Sequence, residues 1–295
     1  MKNSKITILL ALLMMAMAIF FTGCGSSDQQ VGVAQEREKE QQLTIQMIDV
    51  GQGDAILIRT AEQVILIDTG DVPARAKLAA FLRHQGIRTI DKVIITHPHA
   101  DHLGGMAEIF AGFTVKQVYD SGQQSTTALY RKYLTVIKQK NIPFTILAAG
   151  DQVDFGNGAV FKVFGPRKPW ITEEALNNNS VTGKLVYGRF SMLFTGDAEK
   201  AAENRMRQDY SSELKATVLK SPHHGSKTSS SLPFLRAVAP EAVVISAGAD
   251  NEYKHPHEVT LKKYDAVKAR VYRTDLNGTI TITSDGQNYQ IAKER

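Results

Sequence analysis

Four side chains able to bind a metal ion crowd into six residues: His97, His99, Asp101 and His102, in Thr96-His-Pro-His-Ala-Asp-His-Leu-Gly-Gly105. The chain has eight histidines in 295 residues. A His-x-His-x-Asp-His run should then arise by chance in about three of ten thousand such chains. The run also constrains the fold. Asp91-Lys-Val-Ile-Ile-Thr96 reads as a buried strand, and Gly104-Gly105 lets the chain turn sharply after the cluster. A strand that delivers a tight loop of imidazoles and a carboxylate builds a metal site from few residues. His97 and His99 are two apart, so on an extended segment they point the same way. Asp101 and His102 lie beyond, where the chain turns, and can face a second position. The spacing suggests two ions side by side rather than one.

The rest of the chain alternates strand and helix patterns. Strands are expected over 42–49, 55–59 and 63–68, a helix over 74–84, then the strand 91–96 that leads into the cluster. A strand over 115–119, a helix over 125–140 and a strand over 144–147 complete the first half. The second half repeats this grammar. It has strands over 159–164, 184–187, 191–194, 216–220, 242–246 and 279–282, a polar loop over 167–182, and helices running to Tyr210 and over 258–268. This alternation predicts an α/β protein of two mixed sheets packed together and covered by helices. The polar candidates Asp54, Asp68, His97 to His102, Asp197, His223 and His224 all fall at strand ends, where loops converge.

The first 42 residues read differently. Lys2 and Lys5 precede an apolar run, Ile6 to Phe21, and Phe21-Thr-Gly-Cys24 follows. The layout is that of a secretory signal over 1–23, and its end resembles a bacterial lipoprotein lipobox. The resemblance implies cleavage before Cys24, lipidation of that cysteine, and a protein anchored at the outer face of the cell membrane. Residues 24–42 are polar and read as a flexible tether. The folded domain is then 43–295. Cys24 is the only cysteine, which excludes an intrachain disulfide and a cysteine nucleophile or ligand in that domain. A formal charge of +5 permits an anionic partner without arguing for one.

Taken with the Gly-Asp197 turn and a later histidine, the His97–His102 run resembles the metallo-β-lactamase superfamily of binuclear metallohydrolases. Asp49-Val-Gly-Gln-Gly-Asp54, Asn178-Asn-Ser180, Phe194-Thr-Gly-Asp-Ala198 and His223-His-Gly-Ser226 are similar to the metallohydrolase domain of the ComEC competence family. The resemblance covers nearly all of the folded part. It implies an αββα sandwich with two divalent ions, zinc or manganese, at one sheet edge. His97 and His99 would bind one ion and Asp101, His102 and one histidine of the 223–224 pair the second, with Asp197 bridging. His224 is the preferred ligand, leaving His223 for substrate contact or proton transfer. Asp101 and His223 are the catalytic candidates. The pattern departs from the wider superfamily in one respect: no histidine occurs between His102 and His223 to complete the first ion's set. Asn178 or Asn179 stands in that region, and an amide oxygen is a weaker zinc ligand than imidazole.

Asp54 and Asp68 are expected to orient ligating histidines from behind. His255 is expected to line the site, with Asn179 and Ser226 as further substrate or supporting residues. Lys227, Thr228 and Ser229 to Ser231 could hold an anion or cap the next helix. The leading expectation is a phosphodiesterase, a nuclease acting on DNA outside the membrane. The alternatives are a cell-envelope ester hydrolase of the phosphocholine esterase kind, a β-lactamase, or a metal-bearing protein that binds DNA or another polymer without cutting it.

Overall fold

The computed structural model describes residues 42–295. The expected signal segment, Cys24 and nearly all of the expected tether lie outside the described residues.

One eight-stranded sheet contains β1 (Leu43–Met47), β2 (Ile56–Arg59), β3 (Val64–Ile67), β5 (Lys92–Ile95), β7 (Val118–Asp120), β8 (Phe144–Ile146), β16 (Ile280–Ser284) and β17 (Tyr289–Lys293). The short strands β4 (Thr89–Ile90) and β6 (Thr114–Val115) pair with each other apart from it. The order in the large sheet is β17-β16-β1-β2-β3-β5-β7-β8. A seven-stranded sheet contains β9 (Gln152–Asp154), β10 (Val160–Gly165), β11 (Thr182–Tyr187), β12 (Phe190–Phe194), β13 (Val218–Lys220), β14 (Ala242–Ile245) and β15 (Arg270–Arg273), in the order β15-β14-β13-β12-β11-β10-β9.

Period-two alternation decides the layering. On β1, Leu43, Ile45 and Met47 face the second sheet. They meet Phe161, Val163, Leu185, Met192, Phe194 and Val244 in one buried core. The opposite faces of the first sheet, through Leu57, Leu66, Val93 and Ile95, pack on helices Arg75–His84, Met106–Gly112 and Ala128–Gln139. On the second sheet Leu193, Leu219, Val243 and Ile245 pack on helices Lys200–Asp209, Leu232–Val238 and Glu258–Ala266. The result is helix, sheet, sheet, helix, as expected. Strands that are apolar on both faces, such as Val93-Ile-Ile95 and Ala242-Val-Val-Ile245, are those covered on both sides.

β3, β5, β7 and β8 run parallel, as do β12, β13, β14 and β15. The loops after β3, β5, β12, β13 and β14 carry the chemistry-bearing residues, and a backbone bond from Val181 N to Thr96 O (2.8 Å) ties the two sheets there. Several elements were not legible in the periodicity, among them β4, β6 and the helices Ala100–Leu103, Met106–Gly112 and Thr274–Asn277. β9, β15 and β17 are short or exposed, and helix Ala175–Asn178 is a single turn inside the expected polar loop. Among the described residues no helix is long and apolar enough to cross a membrane.

Candidate metal centre

The loop after β5 does not stay extended. His99 precedes a one-turn helix, Ala100–Leu103, that swings Asp101 and His102 across from His97. The turn is possible because the backbone is packed too closely for side chains at two glycines. A Cβ on Gly105 would lie 2.3 Å from Thr69 O, and one on Gly53 would lie 2.3 Å from Asp101 O. Backbone bonds from Thr69 N to His102 O (2.7 Å) and from Asp54 N to Asp101 O (3.1 Å) lock the same junctions.

The imidazoles are oriented from behind. Asp68 is fully buried and accepts from Thr96 N and Thr96 Oγ1, both at 2.7 Å. Its Oδ2 also lies 2.8 Å from His102 Nδ1, and as a carboxylate it can only accept. His102 therefore carries its proton on Nδ1 and turns Nε2 inward. Because Thr96 Oγ1 spends its proton on Asp68, it accepts from His97 Nδ1 (3.1 Å), which turns His97 Nε2 inward as well. His224 Nδ1 donates to Ser246 O at 2.9 Å and likewise presents Nε2. His97 Nε2 and His99 Nδ1 face each other at 2.9 Å.

The inward atoms converge. His102 Nε2 lies 3.3 Å from Asp197 Oδ2 and 3.7 Å from Asp101 Oδ2. His224 Nε2 lies 3.2 Å from Asp101 Oδ2 and 3.5 Å from Asp197 Oδ2. Ligand atoms around a tetrahedral ion at about 2.0–2.1 Å are spaced by about 3.3–3.4 Å, so Asp101, His102, Asp197 and His224 fit an ion. The donor chemistry agrees. His102 Nε2, His224 Nε2 and Asp197 Oδ1 are buried with no hydrogen-bond partner, a costly condition that a cation would relieve. His97 Nε2 approaches Asp197 Oδ2 at 3.9 Å, so Asp197 stands between this group and the His97–His99 pair. The centre thus suits two metal ions, and its two halves are unequal.

Charge follows geometry. Burial, then the neighbouring His102, holds His97 well below the usual imidazole range. Burial also opposes charge on His102, but Asp197, Asp101 and Asp68 outweigh it and raise that ring well above the usual range. His224 behaves the same way. Burial is overcome by Asp197 and Asp54, and it is pushed up to about 10. A cation held by this half would displace protons from the rings.

The adjacent histidines separate because both adopt left-handed backbone, with φ of 48° and 52°. His224 goes inward and is buried. His223 stays at the wall, with Nδ1 at 3.2 Å from both Glu199 Oε1 and Thr228 Oγ1, and Nε2 at 3.8 Å from Asp197 Oδ2. A cleft of about 510 Å³ opens over the centre, lined by His99, Asp101, Asn177, Asp197, His223, His224, Tyr253 and His255 among others. His255 is held down to about 4 by burial and then by His224, so it is neutral at physiological pH.

Two expected site residues are placed elsewhere. Asn179 does not face the centre. Its Oδ1 accepts from Ile171 N and its Nδ2 donates to Ile171 O and Ala175 O, so the amide is consumed in bracing the loop. Asn178 is spent on Glu199 N and Ala202 N. The amide at the cleft is Asn177, which donates to Glu199 Oε1 (3.1 Å) and keeps a buried, unpartnered Oδ1. Ser226 also turns away from the cleft, pairing with Thr228 Oγ1 at 3.0 Å. The expected anion site before helix Leu232–Val238 is filled from within the fold, because Glu203 accepts from Ser230 N and Ser231 N.

Sequence reasoning missed Lys220 and Glu199. Lys220 is fully buried and lies 2.5 Å from Asp54 Oδ2. Asp54 in turn lies 3.6 Å from His224 Nδ1 and 3.9 Å from His102 Nδ1. The available signal was a lysine closing an otherwise apolar strand. Glu199 carried no signal beyond standing two residues after Asp197.

A family profile described as the metallo-beta-lactamase superfamily matches residues 48–249. Among curated relatives the chain is similar to ComE operon protein 3 of Bacillus subtilis (strain 168), 32% identical over 254 residues that cover 80% of this chain and 32% of that protein. It is also similar to Competence protein ComA of Neisseria gonorrhoeae, 30% identical over 246 residues that cover 83% of this chain and 33% of that protein. The chain thus spans about a third of the length of these relatives. Among solved structures it resembles the metallo-beta-lactamase fold protein YhfI from Bacillus subtilis, with a TM-score of 0.55, 12% identity, and coverage of 81% of this chain and 99% of that one. At that identity the likeness concerns the fold alone.

Proposed function

This chain belongs to the metallo-β-lactamase superfamily, in its ComEC-like branch, and we propose that it is a metal-dependent phosphodiesterase, a nuclease acting on DNA at the outer face of the cytoplasmic membrane. One observation carries the reading. A cluster of convergent ligand atoms (Asp101, His102, Asp197 and His224), three of its side chains buried, adjoins the His97–His99 pair, and His223 is held over the same cleft by Glu199. The choice of DNA rests on one relative named Competence protein ComA and a further one named Recombination protein 2, of Haemophilus influenzae.

His97 and His99 would hold one divalent ion, and Asp101, His102 and His224 the other, with Asp197 offering an oxygen to each. Such ions, zinc or manganese, would supply a nucleophile near neutral pH and offset charge on phosphoryl oxygens. Asp101, with a quarter of its side chain exposed, is the carboxylate of the metal cluster most open to incoming substrate. His223 is fixed through Nδ1 to Glu199, which leaves Nε2 facing the cleft to protonate the departing oxygen. His255 closes the wall without adding charge. Residues 1–23 as a secretory signal, lipidated Cys24 and the tether 24–42 would keep the domain at the membrane surface.

The test pairs metal analysis with a substrate screen of the purified protein and His102→Ala. Wild type should retain divalent metal and cut DNA or bis-p-nitrophenyl phosphate, and the variant should lose both. Wild type that leaves DNA, RNA and the model diester intact refutes the reading. Turnover of nitrocefin or of a phosphocholine ester instead would reassign the chemistry. Membrane fractionation of Cys24→Ser tests the anchor, since release into the soluble fraction is expected.

A further inference from the structure

Tyr253 stands at the mouth of the cleft with more than half of its side chain exposed (55%), which is unusual for a large ring beside a buried centre. One face is backed by His255, with ring centroids 5.6 Å apart and planes inclined by 22°. Much of the rest of the residue is open to solvent. The loop that carries it is braced from within. Asn251 Nδ2 donates to Gly248 O (2.8 Å) and His255 O (2.6 Å), while Asn251 Oδ1 accepts from His255 N (2.9 Å). Gly248 N is held in turn by Gln52 Oε1 at 3.3 Å. The backbone on either side of the ring is therefore held, and less freedom is lost when something lies on it.

The lining of the cleft indicates what that is. Among the described residues that line it there is no lysine or arginine, while Asp71, Asp101, Asp197 and Glu252 are all present. A strand entering the cleft gains little from phosphate pairing with the walls, so affinity has to come from another contact. Tyr253 is the one Phe, Tyr or Trp in that lining. A single flat face suits a planar partner, whereas a quaternary ammonium group is best held by several aromatic walls.

We propose that Tyr253, backed by His255, is a stacking shelf for one unpaired nucleobase next to the scissile phosphodiester, and so selects single-stranded over duplex nucleic acid. The inference rests on the phosphodiesterase reading above. In a duplex each base face is already covered by its neighbours, so the shelf is denied a partner unless the strand opens.

The experiment uses the full metal-loaded protein, a short single-stranded DNA, the same strand with abasic nucleotides, and the corresponding duplex. Tyr253→Ala should raise KM for the intact strand by about tenfold, with Tyr253→Phe restoring it. The abasic strand should cost wild type a similar factor, and the two losses should not add. Anisotropy of a labelled phosphorothioate strand should show the same weakening of binding without turnover. Tyr253→Ala within about twofold of wild type on the intact strand, or an added loss on the abasic strand, overturns the shelf while leaving a working phosphodiesterase. So does equal use of duplex and single strand, or a Tyr253-dependent KM confined to a phosphocholine ester. A wild type that cuts no phosphodiester overturns both readings.

Discussion

Replacing Lys220 by Met should cost the domain about 3 kcal/mol, although neither Lys220 nor its partner Asp54 lines the cleft. Lys220 and Asp54 are each 1% exposed, and Nζ lies 2.5 Å from Oδ2. Lys220 Nζ also reaches Gly196 O, at 3.4 Å. Met keeps most of the volume of Lys, so the loss is electrostatic rather than a cavity. Removing one partner of a buried pair leaves the other as an uncompensated charge, at about 3–5 kcal/mol. Part of that charge is met from nearby: His224 and His102, both pushed up in the metal-free site, stand close to Asp54 without a hydrogen bond to it, which places the loss at the lower end of this range. Asp54 Oδ1 has no hydrogen-bond partner, and the nearest rings are 3.6 Å and 3.9 Å away. Three kcal/mol is somewhat more than about a hundredfold in the folding equilibrium. The assay is urea unfolding of the metal-stripped protein, so that bound cations do not mask the charge. Lys220→Met, Asp54→Asn and the double variant form the cycle. The double variant should recover most of the loss of Lys220→Met, because it removes the stranded carboxylate. A loss below about 1 kcal/mol for Lys220→Met, or a double variant as poor as the sum of the singles, refutes the account.

Burial pushes Asp120 up to about 6, against the opposing bonds from Gly122 N and Tyr133 OH. Its folded value exceeds its unfolded one, so its contribution is intact below about pH 4, falls as pH rises to about 6 and is lost above that, a swing of about 3 kcal/mol. Asp120→Asn should flatten this window and be the more stable form above it, as read by unfolding midpoints across pH. A parallel pH profile for the two proteins contradicts the assignment. Glu199→Gln should leave metal content unchanged, because Glu199 touches His223 and Asn177 rather than the buried cluster, yet lower turnover by about tenfold to a hundredfold. A full-rate variant would remove His223 orientation from the mechanism. Gly53→Ala places a Cβ 2.3 Å from Asp101 O at φ +118°, so it should lower stability by at least about 2 kcal/mol and weaken metal retention together. Calorimetry and metal analysis on one sample check both.

Much of this was legible because the relevant information is local. Leu43, Ile45 and Met47 alternate in the sequence and alternate in the core, and Val93-Ile-Ile95 reads as covered on both faces because it is. The donors of the centre could be named because His97 to His102 are neighbours in the chain, and because Asp68 and Asp197 end strands. The edge strands β9 and β17 escaped because exposed strands need not alternate strongly, and helix Ala175–Asn178 is too short to show a period.

By itself, then, the sequence marked the strand and helix alternation behind the layered architecture and named the candidate metal-binding side chains, since both are read from residue type, near spacing and the motifs of the resemblance. Tertiary structure decided how those side chains are used. Which of His223 and His224 turns inward depends on two successive left-handed residues, and which asparagine reaches the cleft depends on what the backbone of 171–175 takes from Asn179. The pairing of Asp54 with Lys220 joins positions 54 and 220, far apart in the chain, across two packed sheets. Only packing brings such groups within reach, and only then do burial and charge set what each can do.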